Sequence, residues 1–122
     1  SVLAATLKGM PLIYGGQESE LDKRLEFFYK DTIEWDDYRY ADFYQRLLQL
    51  KKDNPALWNG QYGAQAEVLA ETNRDIFAFK REKDNNSVSV IINFSKQEQI
   101  IEDSSNFAIK KLAAWDYRIK VE

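Results

Sequence analysis

The pattern of apolar and polar positions changes character near Asn59. Before it, apolar residues follow helical spacing or form short unbroken runs; beyond Gly60 they alternate with polar ones. The clearest helical stretch is Tyr38 to Lys52, where Tyr40, Phe43, Tyr44, Leu47 and Leu48 fall at i, i+3, i+4, i+7 and i+8 and mark one buried stripe. Asp36 and Asp37 stand at its expected positive end, Lys51 and Lys52 at its negative end, and Pro55 blocks its continuation. Ser1 to Lys8, with Val2, Leu3, Ala4 and Leu7 ahead of Gly9, reads as the tail of another helix. Met10 to Tyr14 is a short continuous apolar run broken by Gly15-Gly16, the pattern of a strand buried on both faces of a parallel sheet. Gln17 to Asp37 has no period. Its Phe27, Phe28, Tyr29, Ile33 and Trp35 predict a long ordered loop anchored by those side chains.

In the second half, Trp115, Tyr117, Ile119 and Val121 alternate with Asp116, Arg118 and Lys120, so one face is expected buried and one wet. Val88, Val90, Ile92 and Phe94 form a second such row and Ile76 to Lys80 a third. Lys83-Asp84-Asn85-Asn86 makes the hairpin turn between them, with asparagine expected to take any positive φ. Ala64 to Ala70 and Gln97 to Ile101 are weaker strand candidates. Short strands with no helix between them indicate an antiparallel sandwich, so the expected organisation is residues 1–58 as one unit and 59–122 as a small β-sandwich.

Composition narrows the chemistry. The chain has 122 residues, 44% of them hydrophobic and 30% charged, the balance of a globular protein. A net charge of -3 offers no electrostatic basis for holding a phosphate backbone or an anionic membrane surface, so neither nucleic acid nor membrane is an expected partner. No apolar run approaches the roughly 20 residues of a spanning helix. Without cysteine or histidine the usual thiolates, triads and zinc sites are excluded, and only carboxylates can do acid–base work. No cofactor or metal is expected in this chain.

Gly9-Met10-Pro11-Leu12-Ile13-Tyr14-Gly15-Gly16-Gln17-Glu18 closely resembles the eighth barrel strand and following loop of the α-amylase family of glycoside hydrolases. Three further stretches follow in the family's order: Asp31-Thr32-Ile33-Glu34-Trp35, the segment from Phe43-Tyr44-Gln45-Arg46-Leu47 to Asn54-Pro55-Ala56-Leu57, and Val90-Ile91-Ile92-Asn93-Phe94-Ser95. Trp115-Asp116-Tyr117-Arg118-Ile119 is similar to the last strand of the family's C-terminal β domain. The resemblance implies the last strand–helix unit of a (β/α)8 barrel followed by that β domain, an α+β fragment of a retaining enzyme acting on α-glucans. It places the catalytic Asp, Glu and Asp upstream of Ser1, so no catalytic residue is carried over. It implies a compartment outside the cytoplasm, with a cytoplasmic one still open, and says nothing of calcium in the longer protein.

Tyr14, Gly15, Gly16, Gln17 and Glu18 then fall at the C-terminal end of a barrel strand, the face where such barrels build their sites, and are expected to line or support the rim. Glu18 can anchor the loop or adjoin the sugar. Asp31, Glu34, Asp36 and Asp37 are read as caps and dipole partners rather than catalytic pairs. Trp35 and Trp115 are expected in the core; Trp58 and Tyr62, in the linker, are the candidate sugar contacts if the β unit is instead a carbohydrate-binding module. A purely structural or assembly domain is the other alternative. Lys51, Lys52, Lys80, Arg81 and Lys83 are read as a solvated surface. The expected partners are the missing N-terminal barrel and the parent's α-glucan. An isolated chain is expected to associate with itself or to exchange its first ~35 residues between copies, because its apolar stripes lack neighbours.

Overall fold

The computed structural model describes residues 1–35, 37–69, 73–101 and 107–122. The first helix, α1 (Val2–Thr6), buries Val2, Ala5 and Thr6, and the Thr6 hydroxyl donates back to the Val2 carbonyl at 2.7 Å. A 3₁₀ turn at Gln17–Ser19 leads into the aperiodic loop, and α2 (Ala41–Asp53) follows. Two more 3₁₀ turns, Pro55–Leu57 and Gly60–Tyr62, carry the chain to the strands.

The strands are β1 (Ala66–Val68), β2 (Ile76–Lys83), β3 (Asn86–Asn93), β4 (Gln99–Ile100), β5 (Lys111–Leu112) and β6 (Tyr117–Val121). Four form an antiparallel sheet in the order β1-β2-β3-β6, and β4 pairs with β5 apart from it. The β2–β3 register runs from Ile76 opposite Asn93 to Lys83 opposite Asn86. This architecture is α+β with antiparallel sheets, as the alternation in the sequence predicts.

Period two sorts the sheet residues onto its faces. Phe79, Val88, Val90 and Ile92 point to one side and pack with Val2, Ala5, Leu47, Ala56 and Leu57. Ile76, Ala78 and Ile91 point to the other and meet Ile101, just past β4, and Leu112 of β5. The larger core therefore draws on residues before and after Asn59.

Several expectations are corrected. Met10–Tyr14 is not buried on both faces and joins no sheet among the described residues: it runs as unpaired chain with Met10, Leu12 and Tyr14 bare, because no described strand flanks it. Phe27, Phe28, Tyr29 and Trp35 do not anchor the loop in the core; all four are exposed, Phe27 against Phe28 edge to face and Trp35 stacked on Tyr38. Helix α2 begins three residues late, and its buried side is Leu47 and Lys51 with Phe43 and Leu50 packed beside, while Tyr40 and Leu48 face outward. Asp37 does not cap it but lies 3.9 Å from Arg39 Nε; Asp36 falls outside the described residues, as does Ala70 at the end of the first strand candidate. In the β2–β3 turn Asp84, not an asparagine, holds the positive φ. Trp115 lies before β6 in a left-handed turn and is 60% exposed rather than core, and Phe94 projects past the end of β3.

Candidate functional site

The rim candidates form one tight turn. The Tyr14 amide donates to Gln17 Oε1 at 2.8 Å, and the Gln17 amide returns a bond to the Tyr14 carbonyl at 3.0 Å. Gly16 has φ 94, and a Cβ there would lie 2.7 Å from Leu21 Cδ2, so both conformation and space require glycine. Its carbonyl accepts from the Ser19 and Leu21 amides. Glu18 ties this turn to the next helix through its backbone: its carbonyl accepts from the Tyr40 amide at 2.9 Å. One carboxylate oxygen of Glu18, Oε2, is shielded and has no hydrogen-bond partner among the described residues. The five residues are thus brought together at the end of the Met10–Tyr14 segment.

That segment has two unlike sides. Pro11 and Ile13 are partly covered and line a cavity of about 130 Å³ with Ala4, Tyr44, Leu47 and Leu48, between α1 and α2. Met10, Leu12 and Tyr14 are 82%, 80% and 53% exposed, with Leu12 also reaching the edge of that cavity. Alternation with a period of two is the habit of an extended strand whose one side rests on a helix layer.

The other acids are structural or free. Asp31 accepts from Lys23 Nζ at 2.9 Å and from the amides of Glu26 and Thr32, and these bonds, the Lys23 ammonium first, hold its carboxyl below the ordinary aspartate range. Glu20 bonds Arg39 at 2.6 Å and the Tyr40 hydroxyl at 3.1 Å, which raises the Tyr40 phenol. Among the described residues no group of three acids could hold a metal ion, and no helix is long and apolar enough to cross a membrane. Trp58 and Tyr62 are both exposed, but the Trp58 ring N–H is committed to the Lys52 carbonyl at 3.0 Å.

Two cations overturn the reading of a solvated basic surface. Arg81 is fully buried, with no carboxylate partner among the described residues. Its Nε donates to the Ala64 carbonyl (3.0 Å), Nη1 to Thr6 (2.8 Å) and Leu57 (3.4 Å), and Nη2 to Trp58 (3.0 Å). Lys51 is buried too and donates to the Leu57 carbonyl at 2.8 Å, with longer contacts to Ala5 and Leu7. The carbonyls of Ala5, Thr6 and Leu7 close the C-terminal end of α1, where the helix dipole attracts a cation. Burial, and for Lys51 the neighbouring Arg81 charge, pushes both groups below their ordinary pKa.

Comparison with known proteins supplies the rest. No family profile matches the chain. It is 30% identical over 95 residues to a cyclomaltodextrinase of Bacillus sp, covering 75% of this chain and 16% of that protein. It is 26% identical over 113 residues to alpha-amylase 2 of Dictyoglomus thermophilum, covering 82% and 19%. The same part of the fold recurs in the cyclic alpha-maltosyl-(1→6)-maltose hydrolase of Arthrobacter globiformis, with a TM-score of 0.72 and 16% identity over 99% of this chain and 28% of that one. The family is that of the α-amylases. The chain corresponds to a C-terminal portion of an α-amylase-family enzyme and spans less than a third of any of these relatives. In this α-amylase-type chain the residues hidden from sequence reading are Arg81 and Lys51. Their signal was positional: Arg81 continues the inward row of Phe77 and Phe79, and Lys51 lies one turn beyond Leu47.

Proposed function

We propose that this chain is the non-catalytic closing part of an α-glucan-active retaining glycoside hydrolase. In this reading residues 1–58 supply the last strand and helix of the barrel, and residues 59–122 form a β domain that braces them. The observation that carries it is the alternating exposure of Met10–Tyr14: Pro11 and Ile13 are partly covered against the helices, while Met10, Leu12 and Tyr14 are exposed, Leu12 touching the helix-side cavity only at its edge, as a barrel strand would with its interior removed. Burying three such side chains contributes several kcal/mol at about 1.5–3 kcal/mol each, so the face is built to be covered.

The names of the relatives support an α-glucan as the parent's substrate. Retaining hydrolysis needs two carboxyl groups about 5–5.5 Å apart across the scissile bond in a rigid frame. Among the described acids, Asp31 and Glu20 are engaged in loop bonds. Tyr14 through Glu18 would support the rim of the site from the C-terminal end of the strand, with the free oxygen of Glu18 available to a donor from the barrel.

The purified chain should release no sugar from maltooligosaccharides or cyclodextrins. Mixed with the separately expressed upstream barrel, it should restore activity to that barrel. Glucan cleavage by the chain alone, or a barrel fully active without it, would overturn the proposal. Alone, the chain should also self-associate through the bare face, and a strictly monomeric sedimentation profile over a wide concentration range would count against that face being sticky.

A further inference from the structure

The stretch after the Tyr14–Glu18 turn folds into a braced loop. Leu21 and Ile33 both seat on the glycine pair, since a Cβ on Gly16 would lie 2.7 Å from Leu21 Cδ2 and 3.3 Å from Ile33 Cγ2. Asp31 closes the neck: its carboxylate accepts from Lys23 Nζ at 2.9 Å and from the amides of Glu26 and Thr32 at 3.1 and 2.7 Å. A surface loop with adjoining ends and bonds of its own is an Ω-loop, a form that frequently carries function. At its tip stand Phe27, Phe28 and Tyr29, 83%, 86% and 79% exposed. Phe27 and Phe28 meet edge to face at 4.9 Å, so their mutual contact covers little of either ring. Three adjoining aromatic side chains held out into water on a clipped loop are built to meet something.

Size and charge decide what fits. Phe and Tyr fall in the lower half of the 150–250 Å² range for aromatic side chains, so the tip offers about 500 Å², well short of the roughly 800 Å² per partner of a stable protein interface. Lys23, Arg24 and Lys30 are offset by Asp22, Glu26 and Asp31, which leaves no net attraction for a polyanion. A pyranose ring suits the tip better: its apolar C–H face matches an aromatic ring, and the exposed Arg24, Glu26 and Lys30 stand near in sequence to bond its hydroxyls. Phe27 is six residues from both Leu21 and Ile33, so the tip stands no more than about 20 Å from the glycine pair. An oligosaccharide of several rings spans that distance.

We propose that Phe27, Phe28 and Tyr29 form a stacking platform for the glucosyl rings of an α-glucan. The Asp31 clip presents the rings in advance, so that little loop ordering is lost on binding. The inference rests on the reading of this chain as part of an α-glucan-active enzyme, and adds to it the residues that hold the sugar chain away from the scissile bond.

Carbon-13 NMR of the aromatic rings of this chain, titrated with maltoheptaose at millimolar concentration, tests the platform. The ring signals of Phe27, Phe28 and Tyr29 should shift saturably, and several-fold less with the β-linked cellotetraose, while those of Trp58 and Tyr62 stay in place. Phe28→Ala should remove most of the response of Phe27 and Tyr29, with the remaining signals reporting that the chain is folded. Asp31→Asn keeps the rings but opens the neck, and should weaken the affinity several-fold. No shift of the three rings, or an equal shift with cellotetraose, overturns the proposal. Ring signals that move on dilution without sugar would assign the tip to contact between copies and overturn it as well. The functional reading is read separately, by mixing the chain with the upstream barrel. A barrel reactivated by a chain whose rings ignore maltoheptaose sinks the platform alone; rings that respond in a chain that never restores activity sink the functional reading instead.

Discussion

Replacing Arg81 with methionine removes a buried cation and keeps an apolar side chain in its place. The guanidinium makes three good bonds of 2.8–3.0 Å, to the carbonyls of Thr6, Trp58 and Ala64, and a long one of 3.4 Å to Leu57. Charge-assisted bonds contribute about 1.5–3 kcal/mol each, so the three sum to roughly 4.5–9 kcal/mol. Against this stands the cost of keeping a cation out of water with no anion beside it, several kcal/mol after relaxation. The difference is about 3 kcal/mol, a large share of the 5–15 kcal/mol typical of a domain. Arg81→Met should therefore lower Tm by about 10 °C and shift the urea midpoint at unchanged m-value. Hydrogen exchange should rise first in α1, whose last turn loses the Thr6 anchor, and Arg81→Lys should fall between the two. A loss below about 1 kcal/mol, or a gain, would show that the desolvation cost cancels the bonds and that the network adds little stability.

Because burial lowers the Lys51 pKa in the folded chain, the unfolded chain holds more protons between that lowered value and the ordinary 10.5. Stability at this site should accordingly increase as pH rises through that window; Lys51→Met should abolish the rise, measured by urea unfolding at stepped pH. Gly63→Ala places a Cβ 1.7 Å from the Trp58 carbonyl oxygen and 2.9 Å from Arg81 Nη2, a clash only backbone movement can relieve. A loss of about 3 kcal/mol or failure to fold is expected by circular dichroism, at or beyond the upper end of overpacking costs. The carboxyl of Asp31 is held low by Lys23 and two amides, so the Lys23–Thr32 loop should loosen only as pH falls through that depressed value. Limited proteolysis should show Asp31→Asn cleaved faster there at neutral pH.

Much of the fold was legible because it rests on simple periods. The Phe43, Leu47 and Leu50 side of α2 and the Val88, Val90 and Ile92 row of β3 are spacing alone, and both meet in one core. What escaped was set by long-range partners. Arg81 looks like surface beside Lys80 and Lys83, and only carbonyls from residues 6, 57, 58 and 64, folded around it, make its burial tolerable. β5 is two residues long and carries too few positions for any period. Trp115 continues the alternation of β6 on paper, yet the chain turns left-handed there and breaks the phase. The turn at Tyr14–Glu18 was readable from its glycine pair; the shielded Glu18 Oε2 without a partner among the described residues was not, since an unmet bond leaves no mark in a string of residues.

Arg81 and Lys51 share one acceptor, the Leu57 carbonyl, at the point where the pattern of the sequence divides. The junction between the two halves is thus riveted rather than jointed, and a twist applied to the sheet is handed on to both helices. Copies that trade segments would have to part elsewhere, and Gly9, with φ 133 and open space around it, is the natural crossover.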